Sequence, residues 1–114
     1  MGPLITKLLD EHGGIFFKEP VDPDALGIHD YPQFITNPMD LGTIRKRLDN
    51  YKYSEFKDVQ DDVVLTFQNA VRYNGPDSEV GKIALRLDQI FAKEFNALLQ
   101  NLRAAEHQSY SDTT

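Results

Sequence analysis

Apolar residues recur along this chain at three- and four-residue steps, which is the spacing of amphipathic helices. Four stretches share this spacing, and their apolar positions are Leu4, Ile5, Leu8 and Leu9; then Leu41, Ile44 and Leu48; then Phe56, Val59, Val63, Phe67 and Ala70; then Val80, Ile83, Leu87, Phe91, Phe95, Leu98 and Leu102. No stretch shows the alternation typical of a strand. The pattern predicts an all-α chain, and a four-helix bundle is the simplest fold that buries four such faces.

Capping and helix-breaking residues indicate where these helices begin and end. The predicted boundaries are Gly13–Gly14 after the first helix, Asp40 and Ser54 before the second and third, Gly75–Pro76 after the third, and Asp77 or Ser78 before the fourth. The three connections are unequal, because the first is much longer than the other two.

The segment from Gly14 to Asn37 has no long periodic stretch and contains several prolines among apolar residues. A loop of this length is uncommon in a small domain and is usually functional or disordered. Its apolar content favours order. We therefore predict a packed loop with a short helical turn from about Tyr31 to Ile35, meeting the Gly75–Pro76 connection at one end of the bundle.

Asn74 extends the apolar stripe of the third helix and stands just before the Gly75–Pro76 stop. A carboxamide therefore occupies a position where the stripe predicts an apolar side chain, at the open end of a helix. This arrangement suits recognition of a neutral polar group in an apolar pocket. Spacing alone leaves open a structural role, in which Asn74 caps carbonyls or bridges loops.

The composition limits the classes of function. The chain has 114 residues, 40% of them hydrophobic and 26% charged, which fits one domain with a core and a solvated surface. The formal net charge of -6 argues against binding nucleic acid phosphates and favours a basic partner. No stretch approaches the roughly 20 apolar residues that cross a membrane. The absence of cysteine favours an intracellular compartment.

No motif for catalysis or metal binding is complete. The segment Asp22–Asp30 resembles a calcium loop, but Leu26 and Gln33 stand where oxygen ligands are required. The three histidines are scattered without metal-ligand spacing. Asp61 and Asp62 are neighbours on a helix, so their side chains point about 100° apart and do not form a catalytic carboxylate pair. We therefore expect no enzyme activity, no cofactor and no metal.

Three stretches resemble a known family. The chain looks like a bromodomain, the acetyl-lysine reader, from about Leu4 to Leu102, and is similar to the bromodomain and extra-terminal subgroup. The stretches that carry the resemblance are Pro20-Val21-Asp22, then Asp30-Tyr31 followed by Asn37-Pro38-Met39-Asp40-Leu41-Gly42-Thr43-Ile44, and finally Tyr73-Asn74. The resemblance implies a left-handed four-helix bundle with a long ordered loop between helices one and two. The domain is expected to span residues 3–105, followed by a polar, disordered tail over 106–114.

The resemblance also implies roles for individual residues. Asn74 is expected to donate its amide N–H to the acetyl carbonyl, and Tyr31 to hold the same carbonyl through a water molecule. The loop wall of the pocket is expected to consist of Val21, Leu26 and Ile28. Tyr73 is expected to pack beside Asn74, and Val80 to lie at the pocket entrance. Independently of the resemblance, the acetyl methyl is expected to fit among Phe16, Val21 and neighbouring apolar groups.

One departure from the family pattern concerns the start of the long loop. Many members have Trp-Pro-Phe at the positions that read Ile15, Phe16 and Phe17 here. The shelf is therefore expected to consist of Ile15, Phe16 and Phe17, without the tryptophan, and Ile15 offers less area to a bound peptide. We expect this change to affect peptide preference and small-molecule affinity more than acetyl recognition.

These observations lead to one functional prediction and one alternative. The first is a monomeric, nuclear module that binds acetylated lysine in histone tails, links chromatin acetylation to transcription regulation, and also binds small-molecule acetyl-lysine mimics. The alternative is a helical protein-interaction scaffold, or a reader of acetylated non-histone proteins. Neither requires direct contact with nucleic acid or a membrane.

Overall fold

The computed structural model describes the backbone of residues 1–112 and the side chains of residues 1–105. Its helices are α1 (Gly2–Asp10), α2 (Tyr31–Phe34), α3 (Leu41–Asp49), α4 (Phe56–Asn74) and α5 (Glu79–Asp112), and a 3-10 turn spans Gly14–Phe17. No strand occurs within this described part of the chain. The predicted all-α class is confirmed. The four predicted amphipathic helices are α1, α3, α4 and α5, and the predicted short turn is α2.

Two of the three predicted helix starts are capped by the predicted polar side chains. The Asp40 carboxylate accepts a hydrogen bond from the Thr43 N–H at 2.8 Å, so Asp40 caps α3 as predicted. The Ser78 hydroxyl accepts one from the Gly81 N–H at 2.9 Å, which makes Ser78 the cap of α5.

The predicted Ser54 cap is wrong by one residue. The N-cap of α4 is Glu55, whose backbone N–H donates to the Asp58 carboxylate at 3.2 Å. Glu55 and Asp58 form a capping box. The prediction was wrong because it assumed that the cap would be a serine hydroxyl.

The core lies between the four long helices. α4 and α5 pack side by side, while α1 contacts both α3 and α5, and α3 contacts α4. The apolar side chains that are entirely or almost entirely buried there include Ile5, Leu8, Leu41, Ile44, Val59, Val63, Phe67, Leu87 and Phe91. The stripes weaken at their outer ends, where Phe56 and Leu102 are 43% and 40% exposed. The core is therefore formed by the central residues of each predicted apolar face.

α5 continues as a helix to Asp112, so the domain boundary expected at residue 105 falls within it. The tail predicted for residues 106–114 lies outside the described side chains and stays a prediction.

Candidate functional site

A cavity of about 160 Å³ opens at the end of the bundle where the long loop meets the end of α4 and the start of α5. Its lining residues are Phe16, Phe17, Glu19, Val21, Leu26, Ile28, Tyr31, Met39, Thr66, Ala70, Tyr73, Asn74 and Val80. Every residue that the sequence analysis assigned to the binding pocket is in this set. Of the three residues assigned to the shelf, Phe16 and Phe17 are in it and Ile15 is not.

Asn74 is the last residue of α4 and is exposed to solvent at the cavity. Its side-chain amide donates to the backbone carbonyl oxygen of Ala70 at 3.1 Å. An amide nitrogen carries two hydrogens, so this bond leaves one N–H for a ligand. The helix stops here because Gly75 adopts a φ of 91°, which suits glycine, and Pro76 follows.

Tyr31 begins α2 and is only 7% exposed. A phenol is protonated at neutral pH, and burial raises the pKa of Tyr31 further above its ordinary value. Within the described part of the chain, this hydroxyl makes no hydrogen bond to another residue, although it lies on the cavity wall. It is therefore free to bond to a ligand or to a water molecule.

Tyr73 connects the end of α4 to the long loop. Its hydroxyl donates to the Asp30 carboxylate at 2.6 Å, and this bond is the main cause of the raised pKa of Tyr73. Its ring packs edge-on against Tyr31, with centroids 4.9 Å apart, and against Phe34 at 6.1 Å. Tyr73 thus holds the loop segment that carries Tyr31.

A second polar contact joins the same two parts of the chain. The Asn69 side chain is buried on α4, and its amide donates to the backbone carbonyl of Asn37 at 2.8 Å. Asn37 lies just before α3, where the long loop ends. This residue and its contact were absent from the sequence predictions, although Asn69 stands one turn before Tyr73 on α4.

The walls of the cavity are mainly apolar. Val21, Leu26 and Ile28 come from the loop, and Val80 comes from the first turn of α5. Leu26 is 64% exposed, so it lies at the mouth rather than in the interior. The structure thus places Val21, Leu26 and Ile28 on the loop side of the cavity and Val80 on the α5 side.

The 3-10 turn places its three large apolar side chains in different surroundings. Phe17 is 6% exposed and packs edge-on against Phe67 at 5.2 Å, so it belongs to the core as well as to the cavity. Phe16 is 51% exposed and borders the cavity. Ile15 is 75% exposed and borders a neighbouring hollow that also contains Pro20.

Four lining residues were not predicted for the site, namely Glu19, Met39, Thr66 and Ala70. Thr66 and Ala70 lie eight and four residues before Asn74, so helical spacing could have identified them. The Thr66 hydroxyl is occupied by the backbone carbonyl of Asp62 at 2.9 Å. No local pattern marks Glu19 or Met39, because the folding of the loop decides where they lie.

One acidic residue borders the cavity, and three more are exposed on the same loop. Glu19 borders the cavity, and the exposed residues are Asp22, Asp24 and Asp30. Among the described residues there is no cluster of potential ligands that could hold a metal ion. No helix in the same part of the chain has the length and apolar character to cross a membrane.

The fold and the site define a class of protein: a helical binding module in which a long loop and the end of a helix line an apolar cavity, with one asparagine side chain exposed at it. The family model for the bromodomain matches residues 3–86. The chain belongs to the bromodomain family. Members of this family are reader modules rather than enzymes, and membership supports a role as an acetyl-lysine reader.

Two curated relatives are similar to this chain. The SWR1 complex bromodomain subunit bdf1 of Schizosaccharomyces pombe is 45% identical over 82 residues, which cover 72% of this chain and 14% of the relative. An ankyrin repeat, bromo and BTB domain-containing protein of Dictyostelium discoideum is 46% identical over 98 residues, which cover 86% of this chain and 12% of the relative. The chain therefore spans a small part of the length of each relative.

Proposed function

We propose that the cavity binds the acetylated side chain of lysine. The observation that carries this proposal is that one largely apolar cavity is lined by both Asn74 and Tyr31. Within the described residues, one amide N–H of Asn74 and the hydroxyl of Tyr31 have no protein partner. An acetyl group offers one carbonyl acceptor and one methyl. Asn74 donates to the carbonyl, a water molecule on Tyr31 adds a second hydrogen bond, and the methyl contacts Phe16 and Val21.

Discrimination against unmodified lysine follows from the cost of desolvation. Moving an ammonium group from water into an apolar cavity without a charged partner costs several kcal/mol of solvation free energy. Acetylation removes the charge and leaves a neutral amide. The apolar wall therefore rejects unmodified lysine, and the hydrogen bond to Asn74 fixes the orientation of the acetylated one.

We further propose that the acetylated partner is a histone tail and that the module acts in the nucleus, in transcription regulation. Glu19 at the cavity and the exposed acidic residues of the loop, Asp22, Asp24 and Asp30, favour a basic peptide around the acetylated residue. One relative is named as a subunit of the SWR1 complex. A single acetyl-lysine buries little area, so we expect roughly micromolar or weaker affinity for a monomeric domain.

The test is binding to an array of histone-tail peptides, each synthesised with and without acetyl groups, beside acetylated peptides from non-histone proteins. We expect binding only to acetylated peptides, competition by small-molecule acetyl-lysine mimics, and loss of signal with Asn74→Ala. Equal binding of the acetylated and unmodified forms would favour the scaffold alternative. Binding only to non-histone peptides would keep the reader function and overturn the histone assignment.

A further inference from the structure

α2 carries Tyr31 but consists of four residues, Tyr31–Phe34. A single helical turn is not stable by itself, because it fixes several residues for very few hydrogen bonds. Its internal support is the pair of backbone bonds from Gln33 N–H to Asp30 and from Ile35 N–H to Tyr31. Contacts with the rest of the bundle must therefore determine where Tyr31 lies.

α4 supplies two such contacts, one on each side of α2. Before α2, the Tyr73 hydroxyl donates to the Asp30 carboxylate at 2.6 Å. After α2, the Asn69 amide donates to the Asn37 carbonyl at 2.8 Å. Asn69 and Tyr73 are four residues apart and share one face of α4.

The two contacts differ in character. Asn69 is 8% exposed, so its bond is shielded from water and resembles a core contact. The bond from Tyr73 ends on a carboxylate, and hydrogen bonds to charged acceptors are shorter and stronger than neutral ones. The Tyr73 ring meanwhile contacts the Tyr31 ring directly, with centroids 4.9 Å apart. The hydroxyl and the ring of one side chain thus act on the two adjacent residues Asp30 and Tyr31.

We propose that the hydrogen bond between Tyr73 and Asp30 is a clamp that positions Tyr31 for the ligand, with Tyr73 and Asp30 as positioning residues. This inference rests on the proposed function and extends it. The clamp holds α2 against α4, so the hydroxyl of Tyr31 stays on the wall of the cavity that Asn74 also lines. Without it, the ligand must bear the entropy cost of ordering α2, and affinity falls.

The chain offers a matched control at another place in the bundle. The Tyr53 hydroxyl donates to the Asp62 carboxylate at 2.6 Å, the same chemical pair at the same distance, and neither residue borders the cavity. Tyr73→Phe and Tyr53→Phe each remove one phenol–carboxylate bond and keep the ring. A purely structural role predicts that both variants lower the melting temperature and leave peptide affinity unchanged.

The primary measurement is the Kd of wild type and both variants for the acetylated peptide identified on the array. The clamp predicts that Tyr73→Phe weakens binding by roughly three- to ten-fold, while Tyr53→Phe binds as the wild type does. Wild-type affinity in a folded Tyr73→Phe variant would overturn the proposal.

Asp30 is also one of the exposed acidic residues of the loop, and two substitutions separate the effect of its charge from the clamp. Asp30→Asn removes the charge but keeps an oxygen that accepts from Tyr73, whereas Asp30→Ala removes both. The clamp predicts a larger loss of affinity for Asp30→Ala than for Asp30→Asn at high salt, where charge effects are screened. Equal losses in the two variants would contradict it.

A measurement without ligand separates failure of the clamp from failure of the proposed function. Hydrogen exchange of the Gln33 and Ile35 amides reports the opening of α2. We expect faster exchange of both amides in Tyr73→Phe and unchanged exchange in Tyr53→Phe. If the wild type binds no acetylated peptide, the proposed reader function is wrong. Unchanged exchange in Tyr73→Phe would overturn the clamp whether or not the wild type binds peptide.

Discussion

The Asn74 side-chain amide donates a hydrogen bond to the backbone carbonyl of Ala70, 3.1 Å away and one turn earlier on α4. The carboxamide is exposed at a helix end, where it would otherwise rotate freely. The bond to Ala70 fixes its plane and directs the remaining N–H, so the orientation that the proposed function requires of this amide exists in part without a ligand. Such preorganisation reduces the entropy cost of binding.

Replacement of Asn74 by alanine tests this arrangement. We expect Asn74→Ala to weaken binding of the acetylated peptide by about 1–3 kcal/mol, because the acetyl carbonyl loses its donor inside an apolar cavity. Folding stability should change little, since Asn74 is exposed and its one bond is local. Isothermal titration gives the affinity, and thermal unfolding gives the stability.

Gln68→Ala is the control for Asn74→Ala, because Gln68 is exposed on α4 and does not border the cavity. It should keep full affinity. An Asn74→Ala protein that unfolds normally and binds with wild-type affinity would exclude the proposed role of the amide.

The charge around the cavity mouth leads to a second prediction. If Glu19 and its acidic neighbours attract a basic tail, then raising the ionic strength weakens binding and slows association. Glu19→Gln should reduce this salt dependence, since Glu19 borders the cavity itself. Asp61→Asn removes the same charge from an exposed position near the start of α4 and should leave the dependence unchanged. Stopped-flow association rates at several salt concentrations provide the measurement, and a rate independent of salt would exclude attraction by charge.

Much of the fold could be predicted from apolar spacing. Val63, Phe67, Leu87 and Phe91 are almost completely buried in the structure, because a helix in water must cover its apolar face. The end of α4 at Asn74 was also predictable, since Gly75 and Pro76 cannot continue a helix. These features depend on local chemistry, which a sequence displays directly.

Other features depend on contacts between distant parts of the chain. Asn69 bonds to Asn37 across 32 positions, and Tyr73 bonds to Asp30 across 43, and neither pair carries a local signal. Ile15 illustrates the same limit, because the conformation of the loop places it at a neighbouring hollow and not in the cavity. The cavity's principal polar residues could thus be predicted from the sequence, but the contacts that hold its loop could not.

Asp88 provides a prediction about stability and pH. Partial burial raises the pKa of this carboxyl above its ordinary value of 3.8, and no ion pair reaches it within the described residues. The folded state therefore binds the proton more tightly than the unfolded state. Stability contributed by this group is present below pH 3.8 and is lost as pH rises through the folded-state pKa.

Asp88→Asn should accordingly stabilise the protein at neutral pH, by less than about 1 kcal/mol because the group is partly solvated. The gain should shrink as pH falls below the pKa of the folded carboxyl, where the wild-type carboxyl is neutral as well. Urea unfolding of both proteins at neutral and acidic pH measures the difference. A gain that stays constant with pH would show that the charge of Asp88 is not its cause.

The last prediction concerns Gly42, in the first turn of α3. A Cβ built there would overlap the backbone carbonyl oxygen of Lys18, which follows the 3-10 turn. Since Phe16 and Phe17 of that turn border the cavity, the close approach at Gly42 helps to set the position of the cavity wall. We expect Gly42→Ala to destabilise the fold by about 1–3 kcal/mol, the usual cost of overpacking, and to weaken acetyl-peptide binding as the turn moves.

Gly2→Ala is the matched control, because a Cβ at Gly2 would meet nothing within 4 Å. Denaturant unfolding and peptide titration of both variants test the prediction, and a Gly42→Ala protein as stable as the Gly2→Ala protein would contradict it.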